Sequence, residues 1–161
     1  YYPSKVKSLM KEAGYENGVG LPEITLHTNV EAKELCSYIQ RQWEEFGFKI
    51  KVEVHSHAEQ MHMISKGELP FYRSSWIADY PDAENYLSVF YSKNPAPPNY
   101  TRYHNSKFDA VFEKALSETN DSLRYRLYQQ ADSIMMEDAP AAAEAAGYAA
   151  ADNAALAAQV G

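Results

Sequence analysis

Trp76-Ile77-Ala78-Asp79-Tyr80-Pro81-Asp82 follows the strand-like run Phe71-Tyr72-Arg73-Ser74-Ser75 and leads into a short amphipathic segment from Ala83 to Tyr91. An aromatic ring and a carboxylate are thereby expected where a strand gives way to a loop, the position at which open α/β sheets bind ligands. Asp82 is placed to cap the segment that begins at Ala83, with Glu84 favourable in its first turn. As a catalytic carboxylate pair these two would need a nucleophile–base signature or an oxyanion motif beside them, and neither is present, so the stretch points to binding and not to an enzyme.

Upstream, Phe48, Ile50, Val52 and Val54 alternate with Lys49, Lys51, Glu53 and His55, the period of a strand buried on one face, and Ile24-Thr25-Leu26-His27 alternates likewise. Between them Asn29 is a cap for a helix from about residue 30 to 46, with the stripe Leu35, Cys36, Ile39, Trp43 and Phe46 and a stop at Gly47. Ser56-His57-Ala58-Glu59 has the form of a capping box for a short helix that ends near Lys66-Gly67. Pro3, the spaced Val6, Leu9, Met10 and Ala13, and then Gly14 define a helix at the start of the chain. With the third strand beginning near Phe71, the order is β-α-β-α-β, which right-handed crossovers make a largely parallel sheet.

Downstream, the prolines of Ser92-Lys93-Asn94-Pro95-Ala96-Pro97-Pro98-Asn99 fit a surface loop only. Asn105 then caps a helix bearing Phe108, Val111, Phe112, Ala115 and Leu116. A second, from about Asp121 to Glu137, carries Leu123, Leu127, Ala131, Ile134 and Met135. The pair is expected to pack on the sheet. From Ala139 onward more than half of the residues are alanine. The division is therefore 1–140 as an α/β ligand-binding lobe and 141–161 as an Ala-rich tail. Many of its alanines are expected to stand for other side chains, a point that intact mass would decide.

A chain of 161 residues is enough for one domain with a real core. Its net charge of −7 and lack of a Lys/Arg run exclude a nucleic-acid partner. The single Cys36 rules out an internal disulfide and reads as a small buried hydrophobe. No apolar run approaches membrane-spanning length. The chain opens directly on a helix start, Tyr2-Pro3-Ser4, so it does not itself report secretion. His55, His57 and His62 make the one metal-like cluster, since His-x-His at a strand end puts both rings on one side and a third histidine one helical turn on reaches them. The spacing matches no strong zinc signature, and solvated strand-end and helix-cap histidines account for it better, so no metal and no other cofactor is expected. Thirteen tyrosines fit a stacking surface as well as a core.

The Trp-x-x-Asp stretch resembles that of the extracellular solute-binding proteins of family 5, the dipeptide- and oligopeptide-binding receptors of ABC importers. The likeness extends through ordered matches: Tyr2-Pro3-Ser4-Lys5-Val6-Lys7 to Glu12-Ala13-Gly14-Tyr15, Trp43 to Val52, Lys66-Gly67, Tyr103 to Asp109, and Tyr128-Gln129-Gln130-Ala131 to Glu137-Asp138-Ala139-Pro140. It implies an α/β fold, one lobe of a two-lobed periplasmic-binding-protein-like architecture with a largely parallel sheet flanked by helices, here the C-terminal portion of a longer receptor. It implies a substrate-binding component that takes short peptides in an interlobe cleft and delivers them to a membrane ABC permease, with no catalysis. The setting implied is periplasmic, or that of a cell-surface lipoprotein. Asp79 would accept the ligand's N-terminal ammonium, Trp76 would wall the cleft, and Arg73 would lie toward the ligand's carboxyl end. Receptors for nickel complexes or oligosaccharides and the ligand-sensing module of a regulator are the alternatives within reach of the same lobe. A metal-dependent hydrolase built on the histidine group is the rival from outside the family.

Overall fold

The structure, a computed structural model, describes residues 2–138, which form two compact units dividing between Ser74 and Ser75. The Ala-rich tail lies outside the described residues.

In the first unit, α1 (Pro3–Glu12) begins on its proline, whose missing N–H is one that a helix start leaves unpaired anyway. β1 (Ile24–Asn29) and β2 (Ile50–His55) form a parallel ladder in which Ile24 pairs with Ile50 and, in step, Asn29 with His55. The helix that joins them, α2 (Lys33–Glu44), is preceded by a 3₁₀ turn over Val30–Ala32, and the Asn29 side chain accepts from the Ala32 N–H at 3.1 Å as the expected cap. α3 (His57–Lys66) starts on Ser56, whose hydroxyl accepts from the Glu59 N–H at 3.3 Å, and stops on left-handed Gly67. Leu26, Cys36 and Ile50 are the buried centre, with Ile24, Trp43, Phe48, Val52 and Phe71 packed around them. Cys36 is the buried small hydrophobe that its stripe calls for.

Two features depart from the pattern. The expected third strand is reduced to one parallel bridge, His27 with Tyr72, in which the His27 N–H donates to Phe71 O at 3.1 Å and the Arg73 N–H to His27 O at 2.8 Å. Pro70 carries no N–H to extend the pairing backward, and the Ser74-Ser75 step leaves the ladder. The sheet keeps its parallel character in a shorter form. In β2 the one-face burial reverses at the C-terminal end, where Val54 is exposed and His55 is buried.

Gly18 and Gly47 close the first unit by approaching each other backbone to backbone, both with positive φ, 78° and 88°. A Cβ on Gly18 would stand 2.0 Å from the Gly47 carbonyl oxygen, and one on Gly47 would stand 2.1 Å from that of Asn17. Gly47 thus does more than end α2: it admits a neighbouring chain segment that no side chain would let in.

The second unit contains α4 (Ala83–Leu87), which runs into a 3₁₀ turn at Ser88–Phe90, then α5 (Ser106–Ser117) and α6 (Asp121–Asp138). Asn105 caps α5 as its position predicts, its side-chain oxygen accepting from the N–H groups of Lys107 at 2.8 Å and Phe108 at 3.3 Å. Phe108 and Phe112 stack at 5.8 Å between ring centres, with Tyr103 edge-on to Phe108 and Tyr128 tilted against Phe112. Ala83, Leu87, Phe90, Ala115, Ala131 and Met135 complete this core. Within this unit α5 and α6 bury their apolar faces against each other and against α4. No strand lies in this unit among the described residues, and an aromatic seam forms its core.

Candidate ligand-binding site

At the start of the second unit, three elements of the 76–85 segment are joined by one amide. Asn85 is buried, and its side-chain oxygen accepts from the Trp76 indole N–H at 2.8 Å and from the Asp79 backbone N–H at 3.2 Å. Its amide nitrogen donates to Asp79 Oδ2 at 3.4 Å. A buried amide that uses both its donor and its acceptor in this way is satisfied, and it fixes both the ring and the carboxylate relative to a helix.

That helix is fixed in turn. Asp82 Oδ1 accepts from the Glu84 N–H at 2.9 Å, which caps α4, while Asp82 Oδ2 takes the Arg124 guanidinium of α6 at 2.9 Å. Arg124 also lies over the rings of Tyr125 and Tyr128, at 5.5 and 5.8 Å from their centroids. The Tyr80 hydroxyl donates to Glu84, and that carboxylate is the main cause holding the phenol above its ordinary pKa. Asp82 and Glu84 are thus both engaged in holding α4 in place, as the capping reading expects.

Asp79 differs from its neighbours. It is exposed, and among the described residues its carboxylate takes only the long bond from Asn85. Ile77 and Tyr80, on either side of it in sequence, are 85% and 47% exposed. The arrangement is a carboxylate held by its backbone and one amide, with lone pairs left over, next to an indole that is half-buried and fixed at its N–H. It can accept a cation with charge-assisted hydrogen bonds and pack an apolar group.

Arg73 belongs to the first unit, where its backbone is locked by the His27 carbonyl and by Gln60 Nε2, which donates to the Arg73 carbonyl at 2.9 Å. No carboxylate lies within ion-pair distance of Arg73 among the described residues. Of the three histidines, His55 is buried at the end of β2, whereas His57 and His62 are exposed on α3. The strand ends at His55, so its alternation does not carry through to His57, and the side chains that His55 meets include those of His27, Glu53 and Glu59.

Asn85 escaped the sequence reading. No stripe marked it, because at about 100° per residue α4 turns Asn85 to the side away from Ala83 and Leu87, and its burial shows only in the structure. Such a residue has to find polar partners inside the fold.

The family model described as bacterial extracellular solute-binding proteins, family 5 Middle, matches residues 1–98. The chain belongs to this family. Heme-binding protein A of Haemophilus influenzae is 32% identical over 145 residues, 87% of this chain and 26% of that protein. The dipeptide-binding protein of Escherichia coli is 26% identical over 147 residues, 88% of this chain and 28% of that protein. Among solved structures, a periplasmic oligopeptide-binding protein of Borrelia burgdorferi superposes with a TM-score of 0.78 at 25% identity, over 85% of this chain and 28% of that one. The periplasmic binding protein DppA of Helicobacter pylori, in complex with the peptide STSA, gives 0.75 at 29% identity, over 85% and 27%. The family-5 chain spans little more than a quarter of the length of the curated relatives it matches. Among the described residues no helix is long and apolar enough to cross a membrane.

Proposed function

We propose that this family-5 chain is a portion of the substrate-binding component of an ABC importer, and that it binds short peptides in a cleft between lobes and hands them to a membrane permease. Its setting would be the periplasm or, as a lipoprotein, the cell surface. The single observation that carries the reading is the Asn85 hub, which presents the exposed Asp79 carboxylate with unused lone pairs beside the fixed Trp76 ring. A carboxylate so held suits the N-terminal ammonium of a peptide, a group common to every peptide whatever its side chains, and so gives register without sequence preference. Trp76, with Ile77 and Tyr80 near it in sequence, supplies the packing surface, and Arg73 is assigned to the ligand's carboxyl end. Binding and release by hinge closure is then the whole mechanism, with no covalent step.

Peptide is favoured over nickel complexes and oligosaccharides because relatives named for dipeptides, di- and tripeptides and glutathione recur among the matches. The test is calorimetry of the full-length receptor with di- to pentapeptides, each offered with a free and with an acetylated N-terminus. Free peptides should bind, and acetylation should remove most of the affinity. Equal binding of both forms would remove Asp79 from the proposed role, and binding of neither would remove the peptide reading.

A further inference from the structure

The β1–β2 register brings together a second set of side chains, confined to the first unit and independent of the peptide reading. His27 pairs with Glu53, and Asn29 with His55. Residues paired across a ladder point to the same face, as do residues two apart along a strand, so His27, Glu53 and His55 share one face. Their ligand atoms lie within 4.8 Å of one another. His27 Nδ1 is 3.0 Å from His55 Nε2, and that nitrogen is 3.8 Å from Glu53 Oε1.

We propose that His27, Glu53 and His55 bind a borderline divalent transition metal ion of the Zn²⁺ class, through Nδ1, a carboxylate oxygen and Nε2 respectively. Two imidazole nitrogens on a tetrahedral Zn²⁺, each about 2.0–2.1 Å from the ion, are about 3.3 Å apart. The observed 3.0 Å needs only a slight spreading of the rings. Two histidines and one carboxylate are a donor set suited to Zn²⁺, and three protein ligands leave the fourth position to water.

The surroundings suit ligation. On the far side of the His55 ring, Nδ1 lies 3.9 Å from a carboxylate oxygen of Glu59, close enough for a small rotation to give the carboxylate–histidine–metal arrangement that orients ligating rings. Lys51, 3.2 Å from Glu53, competes for the carboxylate, but its side chain is 59% exposed and can withdraw into water when a cation arrives.

The test is calorimetric titration of the untagged full-length receptor, stripped with chelator, with zinc chloride. One equivalent should bind. Loss of an outer-shell partner alone weakens metal sites by about 10–100-fold, so His27→Gln, which removes a ligand, should raise Kd by at least about a hundredfold. His57→Ala and His62→Ala should leave it unchanged. Because His27→Gln could also disturb the fold, the wild-type chain with one equivalent of Cu²⁺ gives a second reading, an electron paramagnetic resonance spectrum with two coordinated imidazole nitrogens. The proposal is overturned by an absence of saturable Zn²⁺ binding, by unchanged affinity in His27→Gln, by loss of binding in His57→Ala or His62→Ala, or by fewer than two coordinated nitrogens on copper.

Discussion

Replacing Asp79 by Asn keeps the size and the hydrogen-bonding oxygen of the side chain and removes only its charge. In the folded protein that charge has little to do. The residue is exposed, and its carboxylate takes one bond at 3.4 Å from Asn85, which an asparagine oxygen can still accept. The stability of Asp79→Asn should therefore stay within about 0.5 kcal/mol of wild type, as for a surface change away from caps and networks. Under the proposed peptide-binding function, affinity is a different matter. A hydrogen bond to a charged group contributes about 1.5–3 kcal/mol, and its loss corresponds to about a tenfold to a hundredfold rise in Kd. Asn85→Ala should show the reverse emphasis. It strips the Trp76 indole and the Asp79 N–H of their acceptor and leaves a gap in a buried position, at a cost of about 2–3 kcal/mol in stability. Urea unfolding measures the first quantity and calorimetry with a free-amine dipeptide the second, both on the full-length receptor. If Asp79→Asn lost about 1 kcal/mol or more of stability while its affinity held, the carboxylate would be a structural group and the reasoning refuted.

Three other outcomes are expected. Arg124→Met should lower stability by about 1–2 kcal/mol, less than a fully buried pair because both partners are about a quarter exposed, and a double-mutant cycle with Asp82→Asn should show coupling of about 0.5–1.5 kcal/mol; additive effects would contradict the ion pair. Gly47→Ala, which puts a methyl into the Asn17 carbonyl at positive φ, should cost about 2 kcal/mol or more in urea unfolding, and a neutral result would contradict the close approach. The Asp138 carboxylate accepts from Tyr103 Oη at 2.6 Å and Asn105 Nδ2 at 2.5 Å, bonds that hold its pKa below the ordinary carboxylate value, Tyr103 contributing most. A carboxyl lowered in the folded state gives stability that is present above its unfolded pKa of about 3.9 and is lost as pH falls through the folded value. Tyr103 itself is raised, by burial first and then by Asp138, so its share is present below pH of about 10 and is lost at higher pH. Tyr103→Phe should therefore flatten the stability profile at both ends, and an unchanged profile would speak against the contact.

What could be read from the residues alone was local. Asn29, Ser56 and Asn105 each cap the helix they precede, because a cap is decided by a side chain and the next three backbone groups. The aromatic stripe of α5 and the small and apolar stripe of α6 were legible in the same way, through helical spacing. What they pack against was not, since a stripe states that a face is buried and not what buries it. The Phe71 run looked like a strand because its composition suits one, and only the pairing with His27 shows how short it is. In the candidate binding segment, Trp76 and Asp79 stood out by type and spacing, while Asn85, which holds them, had no motif around it. The histidine grouping turned on register. Neighbours in sequence suggested His57 and His62 as companions of His55, but a parallel ladder brings in His27, 28 residues away, and nothing local encodes that offset.

The back-to-back approach of Gly18 and Gly47 also bears on how the sequence can drift. Gly14 shares their sense of φ, at +84°, yet an added Cβ there meets nothing within 4 Å. In a saturation library sorted for folded protein, position 14 should admit asparagine and aspartate, which tolerate the left-handed region. Positions 18 and 47 should return glycine alone. Backbone conformation permits exchange at the first, and a neighbouring carbonyl forbids it at the other two, so three glycines that look interchangeable by dihedral angle would separate into one replaceable and two fixed positions.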